Sequence, residues 1–180
     1  MSKVIVADTP FTEKVRRSLR IGDRVLYTGS MVTARDVAHR RLCEALGEGR
    51  ELPVNLEEAV VFYAAPAPTP PGRIIGSIGP TTSGRMDRYT PFFIERGLRV
   101  MIGKGKRSPE VRDAIVRYGA VYFGAPGGTA ALLARTVRSV RTIAYEDLGP
   151  EAIIELTVVD FPLLVINDCH GGDLYERASR

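Results

Sequence analysis

Residues 28–39, TGSMVTARDVAH, carry a first group of side chains that could bind an anion, at the start of a predicted helix. Free N–H groups and the positive end of the helix dipole favour a negative ligand at such a position. Arg35 is expected in the first helical turn, where a cation is disfavoured unless a bound carboxylate offsets it. His39 follows four residues later on the same helix face. The alternative is a surface arginine that pairs with Asp36 or another nearby acid.

A second segment, residues 76–87 (GSIGPTTSGRMD), places hydroxyl groups and glycines between a predicted strand and a predicted helix. Loops of this composition can direct N–H and O–H groups at an anion. Thr81 and Thr82 supply hydroxyls, and the guanidinium of Arg85 could bind a carboxylate through two parallel hydrogen bonds. The alternative is an ordinary hydrogen-bonded turn, because Thr, Ser and Gly are common turn formers.

In a third segment, residues 103–108 (GKGKRS), glycines flank Lys104 at the end of a predicted strand. The spacing does not match a phosphate-binding P-loop. Lys104 could face a ligand crevice at the strand end, or it could be a solvated turn residue. The glycines at 124–128 are equally ambiguous, since they lack the order of a dinucleotide-binding fingerprint.

Metal-binding residue types are scarce in the sequence. Cys43 and Cys169 are the two cysteines, and His39 and His170 are the two histidines. An iron–sulfur or zinc site needs three or four ligands with local spacing, so we expect no metal site in this chain. The run 168–170, Asp-Cys-His, suggests a nucleophile, but adjacent residues of a strand point to opposite faces.

Composition is typical of a globular protein of one domain, which we assign to residues 1–180. The net charge of +4 is compatible with anionic substrates, and the basic residues are too scattered to indicate nucleic-acid binding. Two isolated cysteines fit a reducing compartment. We find no segment typical of a signal peptide and no apolar run of membrane-spanning length, so a cytoplasmic location is expected.

Strand-like and helix-like patterns alternate along the chain, which predicts a three-layer α/β domain with a mixed sheet. A capping box between Thr33 and Asp36 is expected to begin the second helix. Its core-facing residues are predicted to be Ala34, Ala38, Leu42 and Ala45. The predicted strands are residues 3–7, 24–28, 59–64, 73–78, 98–102, 120–123, 153–159 and 163–166. The predicted helices are residues 12–19, 33–47, 90–97, 108–119 and 129–138.

Taken together, the motifs resemble one known family. The strings TGSMVTARDVAHRRL, GRIIGSIGPTTSGRMDRYTPFFIERG and MIGKGKRS are similar to successive signatures of the β subunit of class I fumarases and L-tartrate dehydratases. The same pattern forms the C-terminal domain where the family is a single chain. YFGAPGGTAALLA and the tail resemble the closing segments, so the resemblance extends from about residue 10 to residue 175.

This resemblance implies a swivelling β/β/α domain and the reversible hydration of fumarate to L-malate, a reaction of the tricarboxylic acid cycle. It implies that a 4Fe–4S cluster is held by three cysteines of an α subunit, which makes the enzyme a hetero-oligomer. It further implies that Thr81 is the proton-transfer group. A threonine hydroxyl is a poor base unless nearby cations lower its pKa.

The residue types suit a dicarboxylate. Arg35 and Arg85 can bind carboxylates by fork geometry, Lys104 by point charge, and Thr82 by its hydroxyl. Fumarate, tartrate and other dicarboxylates share the groups that these residues would bind, so the substrate stays open. A different class of function, a non-catalytic phosphate- or RNA-binding domain, would bind nucleic acid in a salt-dependent way without a partner.

Overall fold

The computed structural model describes residues 4–8, 10–126 and 128–178. In this part of the chain the strands are β1 Val4–Asp8, β2 Arg24–Thr33, β3 Val60–Phe62, β4 Ala64–Pro66, β5 Ile78–Pro80, β6 Val100–Gly103, β7 Val121–Gly124, β8 Val137–Ala144 and β9 Ile153–Asn167. The helices are α1 Glu13–Ser18, α2 Asp36–Gly47, α3 Thr90–Glu95, α4 Pro109–Tyr118, α5 Ala130–Ala134 and α6 Leu174–Ala178. Short 3-10 turns cover Ser83–Met86 and Glu146–Glu151.

One mixed sheet organises the described part of the chain, in the order β1-β2-β3-β6-β7-β9-β8. The first five strands are parallel neighbours, whereas β9 runs antiparallel to β7 and β8. The long strand β9 also pairs antiparallel with β2, so the sheet curves until its two halves meet. Strands β4 and β5 form a separate antiparallel pair. The predicted α/β class with a mixed sheet is confirmed.

Both faces of the central strands are buried, each in a different core. Phe62, Ile102 and Phe123 belong to the cluster inside the curved sheet. Their neighbours Tyr63 and Met101 belong to a second cluster, against helices α2, α3 and α4. Burial on two faces explains why these strands appear in the sequence as continuous apolar runs rather than as alternating patterns.

Helix ends follow the predicted capping chemistry at two helices. The Thr12 hydroxyl accepts a hydrogen bond from the Val15 backbone N–H at 3.3 Å, and the Ser108 hydroxyl accepts one from the Val111 N–H at 3.4 Å. Gly119 ends α4 in the left-handed conformation at φ 65°. The predicted core-facing residues of the second helix are all buried: Ala34, Ala38, Leu42 and Ala45.

The beginning of α2 differs from the prediction. The helix starts at Asp36, with Arg35 as its N-cap residue and no side-chain cap, so the capping box is wrong. The Thr33 hydroxyl instead bonds to strand β9, where it accepts from the Ile154 N–H at 3.3 Å. Thr33 is therefore the last residue of β2 and ties that strand to its antiparallel neighbour.

Several strand and helix bounds also differ. Strand β2 continues through Gly29 because a register shift against β9 accommodates the glycine. Residues 73–77 do not form the predicted strand, and β5 begins only at Ile78. The helix predicted at 129–138 ends at Ala134, and the unpredicted strand β8 begins at Val137. The two tail strands form the single strand β9, with a positive φ at Asp160.

Lys3, the first residue of the first predicted strand, and Gly127 of the glycine-rich turn lie outside the described residues. Within the described residues, no helix is both long and apolar enough to cross a membrane. The assignment of 1–180 to one domain stays a prediction.

His39 is a core residue. Its ring packs against the aromatic rings of Tyr63, Tyr89 and Phe93, with centroids 5.3, 6.1 and 5.6 Å away. Its Nδ1 lies 2.8 Å from the carbonyl oxygen of Arg35. Burial lowers the pKa of His39 to about 4, so the ring is neutral at physiological pH.

This burial predicts a pH-dependent loss of stability. As pH falls below about 6.5, His39 becomes protonated in the unfolded chain but stays neutral in the folded chain. The folded state therefore becomes less stable relative to the unfolded state. Between pH 7.5 and pH 5 the loss from this residue should be about 2 kcal/mol in urea unfolding. The His39→Phe variant should lose about 2 kcal/mol less stability than wild type over the same pH range. A His39→Phe variant with the wild-type pH dependence would contradict this account.

Candidate functional site

The predicted site segments meet at one edge of the sheet. Strands β2, β3 and β6 are parallel, so their carboxyl ends lie at the same edge, where ligands commonly bind in α/β proteins. The β4–β5 pair folds back beyond β3, and the Thr81 N–H donates to the carbonyl of Tyr63 at 2.6 Å. Thr82 forms a parallel bridge with Lys104 at the end of β6. The structure therefore brings Thr81, Thr82 and Lys104 together.

Ser83 attaches this loop to the end of β6. Its N–H donates to the Lys104 carbonyl at 2.9 Å, and its hydroxyl accepts from the Lys104 N–H at 3.1 Å. The Tyr122 hydroxyl lies 2.8 Å from the Ser83 hydroxyl and donates to the Gly105 carbonyl at 3.0 Å. Burial raises the pKa of Tyr122, which keeps this phenol protonated.

Gly103 permits the close contact between the two segments. A Cβ atom at this position would lie 1.9 Å from the Ser83 Oγ and 3.0 Å from the Tyr63 Cδ2. A larger residue would therefore push the threonine loop away from Lys104. This is a physical reason for glycine at the first position of GKGKRS.

Arg85 binds Asp36, the first residue of α2. Its Nε lies 3.1 Å from Asp36 Oδ1, and its Nη2 lies 2.9 Å from Asp36 Oδ2. The arginine side chain is half exposed. The ion pair fixes the guanidinium plane through one edge and leaves other N–H donors toward solvent, where a carboxylate could accept them.

Arg35 lies beside Asp36 in sequence, but its side chain points to a different acid. Its Nη2 is 3.3 Å from a carboxylate oxygen of Glu151. Its Nε is buried and has no hydrogen-bond partner among the described residues. An unsatisfied buried donor is costly, so this group is suited to an additional acceptor. Among the described residues, the guanidinium of Arg35 thus pairs with Glu151 and forms no hydrogen bond to Thr81 or Lys104.

A buried ion pair, which sequence analysis missed, supports both loops. Arg107 is fully buried, and its Nε donates to Asp87 at 2.7 Å. Its guanidinium carbon lies 5.2 and 4.7 Å from the ring centroids of Tyr63 and Tyr122. A second Arg107 nitrogen, Nη2, donates to the Thr90 hydroxyl at 2.9 Å.

The second carboxylate oxygen of Asp87 accepts from the Ser108 N–H at 2.6 Å. Asp87 thus connects the end of GPTTSGRMD to the end of GKGKRS. Both charged residues are visible inside the two motifs. Burial of a charge is rare, however, and the sequence alone gave no sign that this pair is internal.

In the Asp-Cys-His run, the aspartate binds backbone groups rather than the neighbouring histidine side chain. Asp168 accepts from the backbone N–H groups of Ile21, His170 and Gly172, which makes it a turn-forming residue. Cys169 is buried beside the ring of His170, with its sulfur 3.5 Å from Nε2. Among the described residues, no group of three His, Cys, Asp or Glu side chains could hold a metal ion.

Comparison with known proteins identifies the family. The model of the Fumarase C-terminus family matches residues 1–178. The chain belongs to this family.

Relatives with two different chain lengths support the assignment. Fumarate hydratase 2 of Leishmania major is 39% identical over 170 residues, which are 92% of this chain and 30% of the relative. The class I anaerobic fumarate hydratase of Escherichia coli K12 is 40% identical over 159 residues, 87% of this chain and 29% of the relative. The E. coli K12 L(+)-tartrate dehydratase subunit beta is 35% identical over 179 residues, 97% of this chain and 87% of the relative.

The Fumarase C-terminus domain therefore spans less than a third of the fumarate hydratases and most of the tartrate dehydratase subunit. By their names, these relatives are fumarate hydratases and a tartrate dehydratase subunit, which are hydro-lyases. The relatives do not distinguish among the candidate substrates.

The buried Asp87–Arg107 ion pair should contribute more to stability than an exposed ion pair of similar length. Asp87→Ala leaves the Arg107 charge buried without its partner, and we expect a loss of about 3–5 kcal/mol in the free energy of unfolding. Glu13→Ala removes a similar short contact, to Arg17 at 2.7 Å, but both of those side chains are exposed. The control should show no measurable change in urea unfolding. Equal stability of the two variants would show that the Asp87 pair does not support the site.

Proposed function

We propose that this chain is the β subunit of an iron–sulfur-dependent hydro-lyase that hydrates fumarate reversibly to L-malate. In this proposal it supplies the carboxylate-binding and proton-transfer residues, and an α subunit supplies the cluster. Family membership among hydro-lyases supports the reaction class. The observation that carries the proposal is the convergence of Thr81, Thr82 and Lys104 at the sheet edge, with Arg85 on the same loop.

The charges and exposure of these residues suit an anionic substrate. Thr82, Arg85 and Lys104 are exposed, whereas the groups that hold their backbones are buried. A dicarboxylate placed against this edge would meet the outward N–H donors of Arg85 and the ammonium group of Lys104. Arg35, paired with Glu151, keeps a buried Nε donor without a partner among the described residues, and we assign it a substrate carboxylate only as part of this proposal.

Thr81 is the proposed proton-transfer group. Its backbone N–H is held by the hydrogen bond to the Tyr63 carbonyl, and the residue is partly exposed at the same edge. The positive charges of Arg85 and Lys104, when drawn close by the substrate, would lower the pKa of the hydroxyl. Its oxygen would then accept or return the proton at the carbon next to the hydrated one.

The residues of this chain do not fit a 4Fe–4S cluster. Cys43 lies on α2 and Cys169 follows β9, and neither belongs to a metal-binding group of the described residues. A cluster of this kind needs cysteine thiolates close together in space. We therefore propose that the α subunit holds the cluster. Free cysteines also suit the cytoplasmic location that we propose.

Dehydration of L-tartrate is the second candidate reaction. It is favoured by the 35% identity to the E. coli tartrate dehydratase subunit beta, of which the chain covers 87%. The same arginine and lysine groups would bind tartrate, whose two carboxylates flank hydroxyl-bearing carbons. Turnover with each substrate distinguishes the two reactions.

Reconstitution tests the proposal. The partner would be the polypeptide from the same organism that matches the remainder of a class I fumarate hydratase, purified anaerobically with its cluster. We expect turnover of fumarate, L-malate or L-tartrate by the mixture and none by either chain alone. Turnover by this chain alone would contradict the shared site, and an inactive mixture with an intact cluster would contradict the proposed reaction.

Variants of the reconstituted enzyme separate the roles of two residues. Arg85→Ala should weaken transition-state binding by about 2–4 kcal/mol, measured as a fall in kcat/KM. Arg85→Lys should restore little of this binding, because lysine cannot form two parallel hydrogen bonds to a carboxylate. Thr81→Val should lower kcat by a factor on the order of 10²–10⁴ with little change in substrate binding, whereas Thr81→Ser should retain much more. Arg117→Ala is the control, because Arg117 is exposed in the last turn of helix α4. Wild-type kcat in Thr81→Val would assign proton transfer to another group.

A further inference from the structure

An apolar groove of about 630 Å³ lies beside Lys104 on the surface of the sheet. Val4 of β1, Leu26 of β2, and Pro162 and Leu164 of β9 line it. The neighbours of Leu26 in the strand are buried in the core inside the curved sheet, so Leu26 points to the opposite side. Val4 is 52% exposed. The groove is therefore an apolar surface that the described chain leaves partly open to water.

The charges at the groove are all of one sign. Arg24 and Lys104 line it, and its described lining includes no aspartate or glutamate. Apolar residues with an arginine at their edge are typical of the centre of protein interfaces. The complementary occupant is an apolar segment of a protein that also carries a carboxylate.

Lys104 joins the groove to the candidate site. Its backbone pairs with Thr82 of the threonine loop, and Lys104 is also one of the residues that line the groove. A protein segment that fills the groove would consequently lie next to the place where a dicarboxylate would bind. Because the groove adjoins the candidate site, it is better suited to the α subunit, which would complete that site, than to an unrelated protein.

The longer relatives carry further polypeptide outside the matched domain. In the Leishmania fumarate hydratase the matched region is 30% of the protein, and the family description assigns it to the C-terminus. The rest of that polypeptide therefore precedes the domain and joins it at the strand equivalent to β1. Val4 of β1 lines the groove.

We propose that this groove is the docking surface for the cluster-bearing α subunit, which inserts an apolar segment bearing an acidic residue. The inference rests on the proposed function and adds the surface through which the two parts of the enzyme bind. It assigns Leu26 and Val4 to the interface and gives Arg24 an acidic partner across it.

The test uses single substitutions and the purified α subunit defined above. Leu26→Glu places a carboxylate in the groove, and we expect the dissociation constant for the α subunit to rise about 30-fold or more, as for a residue central to an interface. Val140→Glu is the matched control, since Val140 is likewise an apolar strand residue, is 37% exposed on β8 and does not line the groove. It should bind with wild-type affinity. Thermal unfolding establishes that each variant is folded, and Val4→Glu replaces Leu26→Glu if the latter unfolds.

The outcomes separate the groove from the proposed function. Wild-type affinity in a folded Leu26→Glu or Val4→Glu variant would overturn the docking surface and leave the shared site standing. Equal weakening by Val140→Glu would also overturn it. A wild-type chain that dimerises through the groove without the α subunit, and becomes monomeric with Leu26→Glu, would assign the groove to a second copy instead. If the wild-type chain binds no α subunit at all, the proposed function fails, and this inference with it.

Discussion

The buried guanidinium of Arg107 is the constraint on which the site depends. A charge removed from water costs several kcal/mol, which must be offset by a partner and by hydrogen bonds of good geometry. Asp87, Thr90 and the faces of Tyr63 and Tyr122 meet that requirement from three different parts of the chain. Because the arginine is satisfied only when all of them are in place, it selects one arrangement of the two loops.

This arrangement separates support from function. The buried groups, Ser83, Tyr122 and the ion pair, fix the backbone at Thr81, Thr82 and Lys104 without using their side chains. The cationic side chains then extend outward from a rigid edge. Arg85 follows the same logic, because Asp36 holds one edge of its guanidinium. Exposed functional groups on a rigid support are well suited to a site that a second protein surface encloses.

Much of the fold was predictable because local chemistry determined it. The ends of α4 are set by residues that are visible in the sequence. Ser108 caps its start, Pro109 fixes φ in its first turn, and Gly119 ends it in the left-handed conformation. Strand β8 was missed because five of its residues in succession are exposed, so it shows no alternation. The capping box failed because the Thr33 hydroxyl bonds to β9, more than a hundred residues away. Long-range contacts of this kind leave no local signal.

The site residues divide in the same way, into those indicated by local sequence and those set by long-range contacts. The motifs indicated Thr81, Thr82, Arg85 and Lys104 through residue type and resemblance, and the fold brings their segments together. The pairing of Arg85 with Asp36 and of Arg35 with Glu151 depended on the tertiary structure.

A structure of the α–β complex with a bound dicarboxylate inhibitor would show directly which residues bind the substrate. We predict that one carboxylate accepts hydrogen bonds from Arg85 and that the Lys104 ammonium lies within about 3 Å of a ligand oxygen. An inhibitor bound entirely by α-subunit residues, with Arg85 and Lys104 in solvent, would contradict this prediction.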